Sequence, residues 1–211
     1  MYRSQRQASS TDRLSWMVLS LFLLNIHSFL RYDLILFKKE NMIRVNNIND
    51  HEKPAFTFSI LTYNCLASNL AEPKYFPYTN PAHLDFSYRS KLFERELQSL
   101  NAHIICLQEM CKNDFQQWLN PFLSRLGYGD GCFAERGGSR AKDGVVIFFK
   151  QDKFKLLKQH RLSYFDSAQK QFPTQPTLAT YNAALFCLLE IQNTERVIAI
   201  FCSCLKFIFR F

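Results

Sequence analysis

The sequence predicts a mixed α/β domain built in layers. Three observations predict it. Residues 56–126 read strand, helix, strand, helix; the segments from 131 onward read as a run of strands; and 47% hydrophobic content, with 21 Phe among 211 residues, is enough to fill one sizeable core. The same composition excludes wholesale disorder.

Phe56 to Tyr63 alternates and is rich in Phe, Thr and Ile, the pattern of a strand. Pro73, Pro77, Asn80 and Pro81 mark a loop. Asp85 caps a helix running to about Leu100, with Tyr88, Leu92, Phe93, Leu97 and Leu100 along one face. A second strand spans His103 to Gln108. A second helix, Asn113 to Leu126, carries the stripe Phe115, Trp118, Leu119, Phe122, Leu123 and Leu126, and Pro121 inside it kinks or splits it. Those aromatics read as core. Strands are then expected at Gly131–Ala134, Gly144–Phe149, Phe154–Leu162, Tyr181–Glu190 and Arg196–Cys202, with Pro173 and Pro176 breaking a loop ahead of Tyr181.

Ahead of the domain, residues 1–37 read as a targeting or membrane-anchor segment and 38–54 as a polar linker, which leaves 55–211 for the domain. Arg3, Arg6 and Arg13 among Ser, Gln and Thr fit a mitochondrial presequence. The apolar run Leu14 to Leu30, broken by Asn25, His27 and Ser28, fits a signal anchor touching a membrane. A signal peptide fits least, since no small-x-small site follows. The formal net charge of +8 favours polyanions, nucleic acid or an anionic membrane surface, although a basic protein need bind neither. Seven cysteines, an odd number with no Cys-x-x-Cys pair, point to a reducing compartment and to neither a disulfide framework nor a zinc site. No stable protein partner and no oligomeric state can be inferred.

The chemistry centres on Ile104-Ile105-Cys106-Leu107-Gln108-Glu109. An apolar strand ends in a carboxylate, which is costly among nonpolar neighbours unless something positive neutralises it; a divalent cation is the simplest partner. Tyr63-Asn64-Cys65 stands at the end of the preceding strand. Asp143-Gly144 reads equally as a β-turn, Asn182 equally as a loop residue, and Arg136, Arg140 and Lys142 equally as a solvated basic loop.

Thr62-Tyr63-Asn64-Cys65-Leu66-Ala67 and Ile104-to-Glu109 resemble the exonuclease–endonuclease–phosphatase superfamily. The spacer, with Tyr75-Phe76-Pro77-Tyr78 and Leu84-Asp85-Phe86-Ser87-Tyr88-Arg89, resembles its deadenylase-type branch, nearest the 2′,5′-phosphodiesterase, nocturnin and Angel-like members. The likeness covers residues 56 to about 207. It implies a Mg²⁺-dependent phosphodiesterase or 3′-exoribonuclease acting on an RNA 3′ end or oligoadenylate. In that reading Glu109 holds the metal, Asn64 orients the phosphate or the metal-bound oxygens, and Asp143 and Asn182 match further catalytic positions. Arg136, Arg140, Lys142 and Lys206 would neutralise the RNA backbone.

The pattern also departs from the family. Cys204 stands where the family places a histidine against the scissile phosphate, and a neutral thiol is a poor donor to an oxyanion. The family's later Asp-x-Asn and Ser-Asp-His steps have no counterpart before Phe211. The expectation is therefore an α/β sandwich truncated after its first sheet and catalytically incomplete, or alternatively a noncatalytic RNA-binding or membrane-anchored fragment.

Overall fold

The computed structural model describes residues 56–137, 142–174 and 180–204, with the backbone alone of 42–45. The targeting or anchor segment, Arg140 and Lys206 lie outside the described residues. Among those residues no helix is long and apolar enough to cross a membrane.

The elements run β1 (Met42–Val45), β2 (Phe58–Asn64), α1 (Pro81–Leu84), α2 (Phe86–Leu100), β3 (Ile104–Cys111) and α3 (Lys112–Asp114). A π-helical turn (Phe115–Leu119) leads into α4 (Asn120–Arg125), followed by β4 (Cys132–Glu135), β5 (Asp143–Phe149) and β6 (Phe154–Ser163). After them the described residues form α5 (Tyr164–Gln171), β7 (Ala183–Ile191) and β8 (Val197–Cys204). A five-stranded sheet has the order β1-β2-β3-β5-β4, and a three-stranded sheet the order β6-β7-β8.

Two apolar cores account for the layering. Alternate residues of the larger sheet, among them Ile60, Ile104, Cys106, Val145 and Ile147, meet Leu185, Cys187, Leu189, Ile200 and Cys202 of the smaller one. The other face of the larger sheet, with Leu61, Ile105, Leu107 and Phe148, is covered by Phe93 and Leu97 of α2 and by Leu119, Phe122 and Leu123. The layers are thus helices, sheet, sheet, as expected of an α/β sandwich. The expectation that the chain stops after the first sheet is corrected: β6, β7 and β8 supply three strands of a second sheet, and their apolar residues keep the inner face of the first one dry.

Local chemistry explains most elements. The Asp85 side chain accepts the Ser87 N–H at 2.7 Å and starts α2; Asn101, at φ 42°, ends it. Pro121 has no N–H, and its ring crowds the carbonyl four residues back. The helix absorbs this by widening into the π turn just before it, where the Asn120 N–H reaches Phe115 O. Four features differ from the sequence reading. Met42–Val45, inside the stretch read as linker, pairs antiparallel with β2. The segment Tyr164–Gln171, read as loop, is a helix capped by Ser163. The buried row of α2 is Arg89, Phe93, Leu97, while Tyr88 faces out. Finally, β3 does not end at Gln108 but continues to Cys111.

Candidate functional site

Strands β2 and β3 are parallel, joined through α2, with Asn64 registered beside Gln108. Their carboxyl ends therefore emerge side by side, which is where open α/β sheets place ligands. The pairing of β3 with β5 slips by one residue between Leu107 and Met110, so Gln108 and Glu109 together oppose Val145. The slip needs Glu109 in the left-handed region, at φ 53°, where a non-glycine side chain costs about 1 kcal/mol or more. The sequence reading put Glu109 at a strand mouth; it projects instead from a bulge inside the strand.

The bulge brings Glu109 to Asn64. Asn64 Nδ2 donates to Glu109 Oε1 at 3.0 Å, while Asn64 Oδ1 accepts the Leu66 N–H at 2.9 Å. The two bonds fix the orientation of the amide, because only the oxygen can accept and only the nitrogen can donate. Leu66 is itself left-handed, at φ 51°. The turn is pinned from three sides. The Cys65 N–H donates to Gln108 O at 2.8 Å; Arg89 Nη2 donates to Leu66 O at 2.5 Å and also to Cys65 O; and Ser68 Oγ donates to Asp114 Oδ2 at 2.5 Å.

Beneath the rim, Gln108 is buried between the sheets. Its Nε2 donates to Thr62 Oγ1 at 3.1 Å and meets Cys202 Sγ at 3.2 Å. Cys204, at the end of β8, is buried beside the same rim. Burial, and then the Glu109 charge, push its thiol up to about 12, with Arg136 pulling the other way. Cys204 is therefore a neutral thiol at physiological pH.

Asp143 is wholly buried, and Arg136 Nη2 donates to its Oδ1 at 2.6 Å. The two are committed to one another, although Asp143 Oδ2 and Arg136 Nε have no hydrogen-bond partner among the described residues. Gly144 follows because β4 passes too close for any side chain: a Cβ there would lie 2.2 Å from Ala134 O. Lys142 is exposed, and its carbonyl accepts the Lys112 N–H. Asn182 is buried ahead of β7, one residue before Ala183, which registers with Cys204. Its carbonyl accepts the Tyr164 N–H at 3.2 Å. The geometry thus draws Asn64 and Glu109 together and sets Arg136, Asp143 and Cys204 nearby. Arg89, read in the sequence only as the end of the spacer motif, was given no role there; a guanidinium in line with Phe93 and Leu97 on an apolar helix face was the available signal.

Among the described residues no group of three or more His, Cys, Asp or Glu is placed to hold a metal ion. Magnesium does not require one, since it keeps several waters and takes one or two carboxylates. The single carboxylate of Glu109, with the Asn64 amide beside it, fits that limited demand.

Residues 61–193 match the endonuclease/exonuclease/phosphatase family. The chain belongs to it. Over 114 residues it is 32% identical to the CCR4-Not complex 3′-5′-exoribonuclease subunit Ccr4 of Candida albicans, which covers 51% of this chain and 14% of that protein. Human 2′,5′-phosphodiesterase 12 is 32% identical over 114 residues, or 52% of this chain and 18% of that one. Among solved structures, ANGEL2, a 2′,3′-cyclic phosphatase, superposes with a TM-score of 0.64 at 27% identity, covering 72% of this chain and 41% of that chain. The human nocturnin catalytic domain superposes with a TM-score of 0.52 at 26% identity, covering 70% and 49%. These relatives define the deadenylase-type branch of the family and a nuclease or phosphodiesterase lineage. The chain spans under half the length of each of these four proteins.

Proposed function

We propose that these 211 residues carry the metal- and phosphate-gripping part of a Mg²⁺-dependent phosphodiesterase site for an RNA 3′ end or an oligoadenylate, and that they hold substrate without turning it over. The observation that carries the reading is the Asn64–Glu109 bond at the carboxyl ends of two parallel strands. A carboxylate held there at a backbone cost, in a family of phosphodiester- and phosphate-cleaving relatives, is arranged for a cation. Glu109 would hold Mg²⁺ through its carboxylate. When bound, the cation supplies positive charge against a non-bridging phosphate oxygen. Asn64 keeps the carboxylate from swinging away and presents an amide to the same oxygens. Arg136 lends positive potential to the rim while paired to Asp143.

The reading of incomplete chemistry rests on Cys204. A protonated thiol beside Glu109 neither donates strongly to an oxyanion nor carries charge. The test is twofold. Titration with Mn²⁺ should show binding that Glu109→Gln removes. Incubation with 3′,5′- and 2′,5′-linked oligoadenylate in Mg²⁺ should release no adenylate. Release that Glu109→Ala abolishes would overturn the second half of the reading. Mn²⁺ binding indifferent to Glu109 would overturn the first. The charge of +8 favours a second reading, a noncatalytic RNA-binding module, which strongly salt-dependent binding unaffected by Glu109→Gln would support.

A further inference from the structure

We propose that Arg89 is the positioning residue of this site: its guanidinium sets the Cys65–Leu66 turn and through it aims the Asn64 amide at Glu109. The inference rests on the reading of Asn64 and Glu109 as the gripping pair. It starts from an oddity of α2. The inward row of the helix is Arg89, Phe93, Leu97, and Arg89 is only 4% exposed. A guanidinium packed on an apolar helix face is expensive unless its donors are used. Here Nη2 is spent on two carbonyl oxygens, those of Cys65 and Leu66, and Nη1 is buried with no hydrogen-bond partner among the described residues. A group that leaves a buried donor unsatisfied is a poor device for stability alone.

What the two carbonyls share is their place. They lie just past the end of β2, where Cys65 makes a last bond to β3 through its N–H and Leu66 turns left-handed at φ 51°. Two bonds hold Leu66 in that conformation. Its C=O accepts from Arg89, and its N–H donates to Asn64 Oδ1. The second bond is the link to the chemistry. With its oxygen committed to Leu66, the Asn64 amide can only point its nitrogen at Glu109 Oε1, and it does so at 3.0 Å. Asn64 is exposed, so no packing would otherwise fix its rotamer. Arg89 touches neither Asn64's side chain nor Glu109 by hydrogen bond; it acts through the turn. Lysine does not reproduce the contact: both bonds come from Nη2, which the planar guanidinium holds in place, whereas a compact and strongly hydrated ammonium on a flexible stem is not held at that point.

The experiment compares wild type, Arg89→Lys, Asn64→Ala and the double variant, reading first without metal. In folded Arg89→Lys, exchange of the Leu66 amide hydrogen should accelerate at least about tenfold, and the Asn64 side-chain amide signals should lose their hydrogen-bonded shift. Unchanged exchange and shift overturn the proposal. Mn²⁺ affinity follows. Arg89→Lys should weaken it about tenfold, yet add nothing to the loss caused by Asn64→Ala; additive losses would mean that Arg89 does not work through Asn64. If wild type binds no Mn²⁺, the proposed function fails, and the metal-free amide readout still decides the role of Arg89. Should Arg89→Lys not fold, rotation about the Arg89 Cζ–Nη2 bond in wild type decides instead. Slowed rotation supports the grip, and rotation as free as in an exposed arginine overturns it.

Discussion

Asn64 Nδ2 and Glu109 Oε1 lie 3.0 Å apart across a sequence separation of 45 residues. Neither residue sits where regular structure alone would leave it. Asn64 is turned by the loop after β2, and Glu109 by an extra residue in β3. The bond between them is the product of two local departures from ideal backbone, each with a cost and a benefit that substitution can separate.

Glu109→Gln keeps the shape and the bond from Asn64 but removes the charge. Mn²⁺ affinity should fall at least tenfold, measured by calorimetry, with the urea midpoint almost unmoved. Glu109→Gly should go further in opposite directions. Glycine takes the left-handed region without strain, so stability should rise by up to about 1 kcal/mol while cation binding disappears. A destabilised Glu109→Gly would show that the bulge carries no strain.

The pair Arg136–Asp143 should behave as a buried charge pair. Arg136→Met alone leaves a wholly buried carboxylate uncompensated and should cost about 3–5 kcal/mol in chemical denaturation. Adding Asp143→Leu should recover much of that loss, because the pair's own desolvation disappears with it. Equal losses in the single and double variants would refute this account.

Gly144→Ala should destabilise by about 1–3 kcal/mol or prevent folding, since its Cβ would meet backbone at 2.2 Å, and backbone cannot rotate aside as a side chain can. Thermal unfolding beside wild type is a sufficient check, with Gly127→Ala, which has open space but a φ of 83°, as a control for strain without a clash.

Burial against the apolar crevice lined by Leu61, Tyr63, Phe93 and Trp118 raises the carboxyl of Glu96 to about 7. The folded state therefore holds this proton more tightly than the unfolded chain, and stability declines as pH rises from the ordinary carboxylate range through about 7. Glu96→Gln should stabilise the protein by roughly 1 kcal/mol at about pH 8, a figure lowered for solvent screening of the half-buried group. The gain should vanish below about pH 4. Denaturation midpoints across that range would expose the opposite slope if the assignment is wrong.

The sequence carried the architecture well where one signal acted alone. Alternation placed β2 and the strands from Cys132 onward, and Asp85 marked the start of α2. It carried the pairing of Asn64 with Glu109, because parallel strands joined through a helix bring like ends together. It missed what depends on register. Period-two alternation cannot reveal that β3 contains one residue too many, so Glu109 looked terminal. It missed the second sheet as a sheet, because β6 is mostly solvent-exposed and reads as an isolated strand until β7 covers one side. Arg89 stood at helical spacing from Phe93 and Leu97, but its charge argued for a solvent-facing place and no role was given to it.

The slip in β3 has one more consequence. Beyond it the strand's in–out parity is reversed, which is why Leu107 and Met110, an odd and an even position, both face the helices. Deleting either Gln108 or Glu109 would straighten the ladder and leave every apolar side chain on its proper side, so the shortened chain should still fold. The one polar residue left would take the buried place of Gln108 between the sheets, and the rim would lose its carboxylate. Length at this spot is therefore neutral for folding and decisive for binding, and a screen of single-codon deletions would separate the two requirements more cleanly than substitutions do.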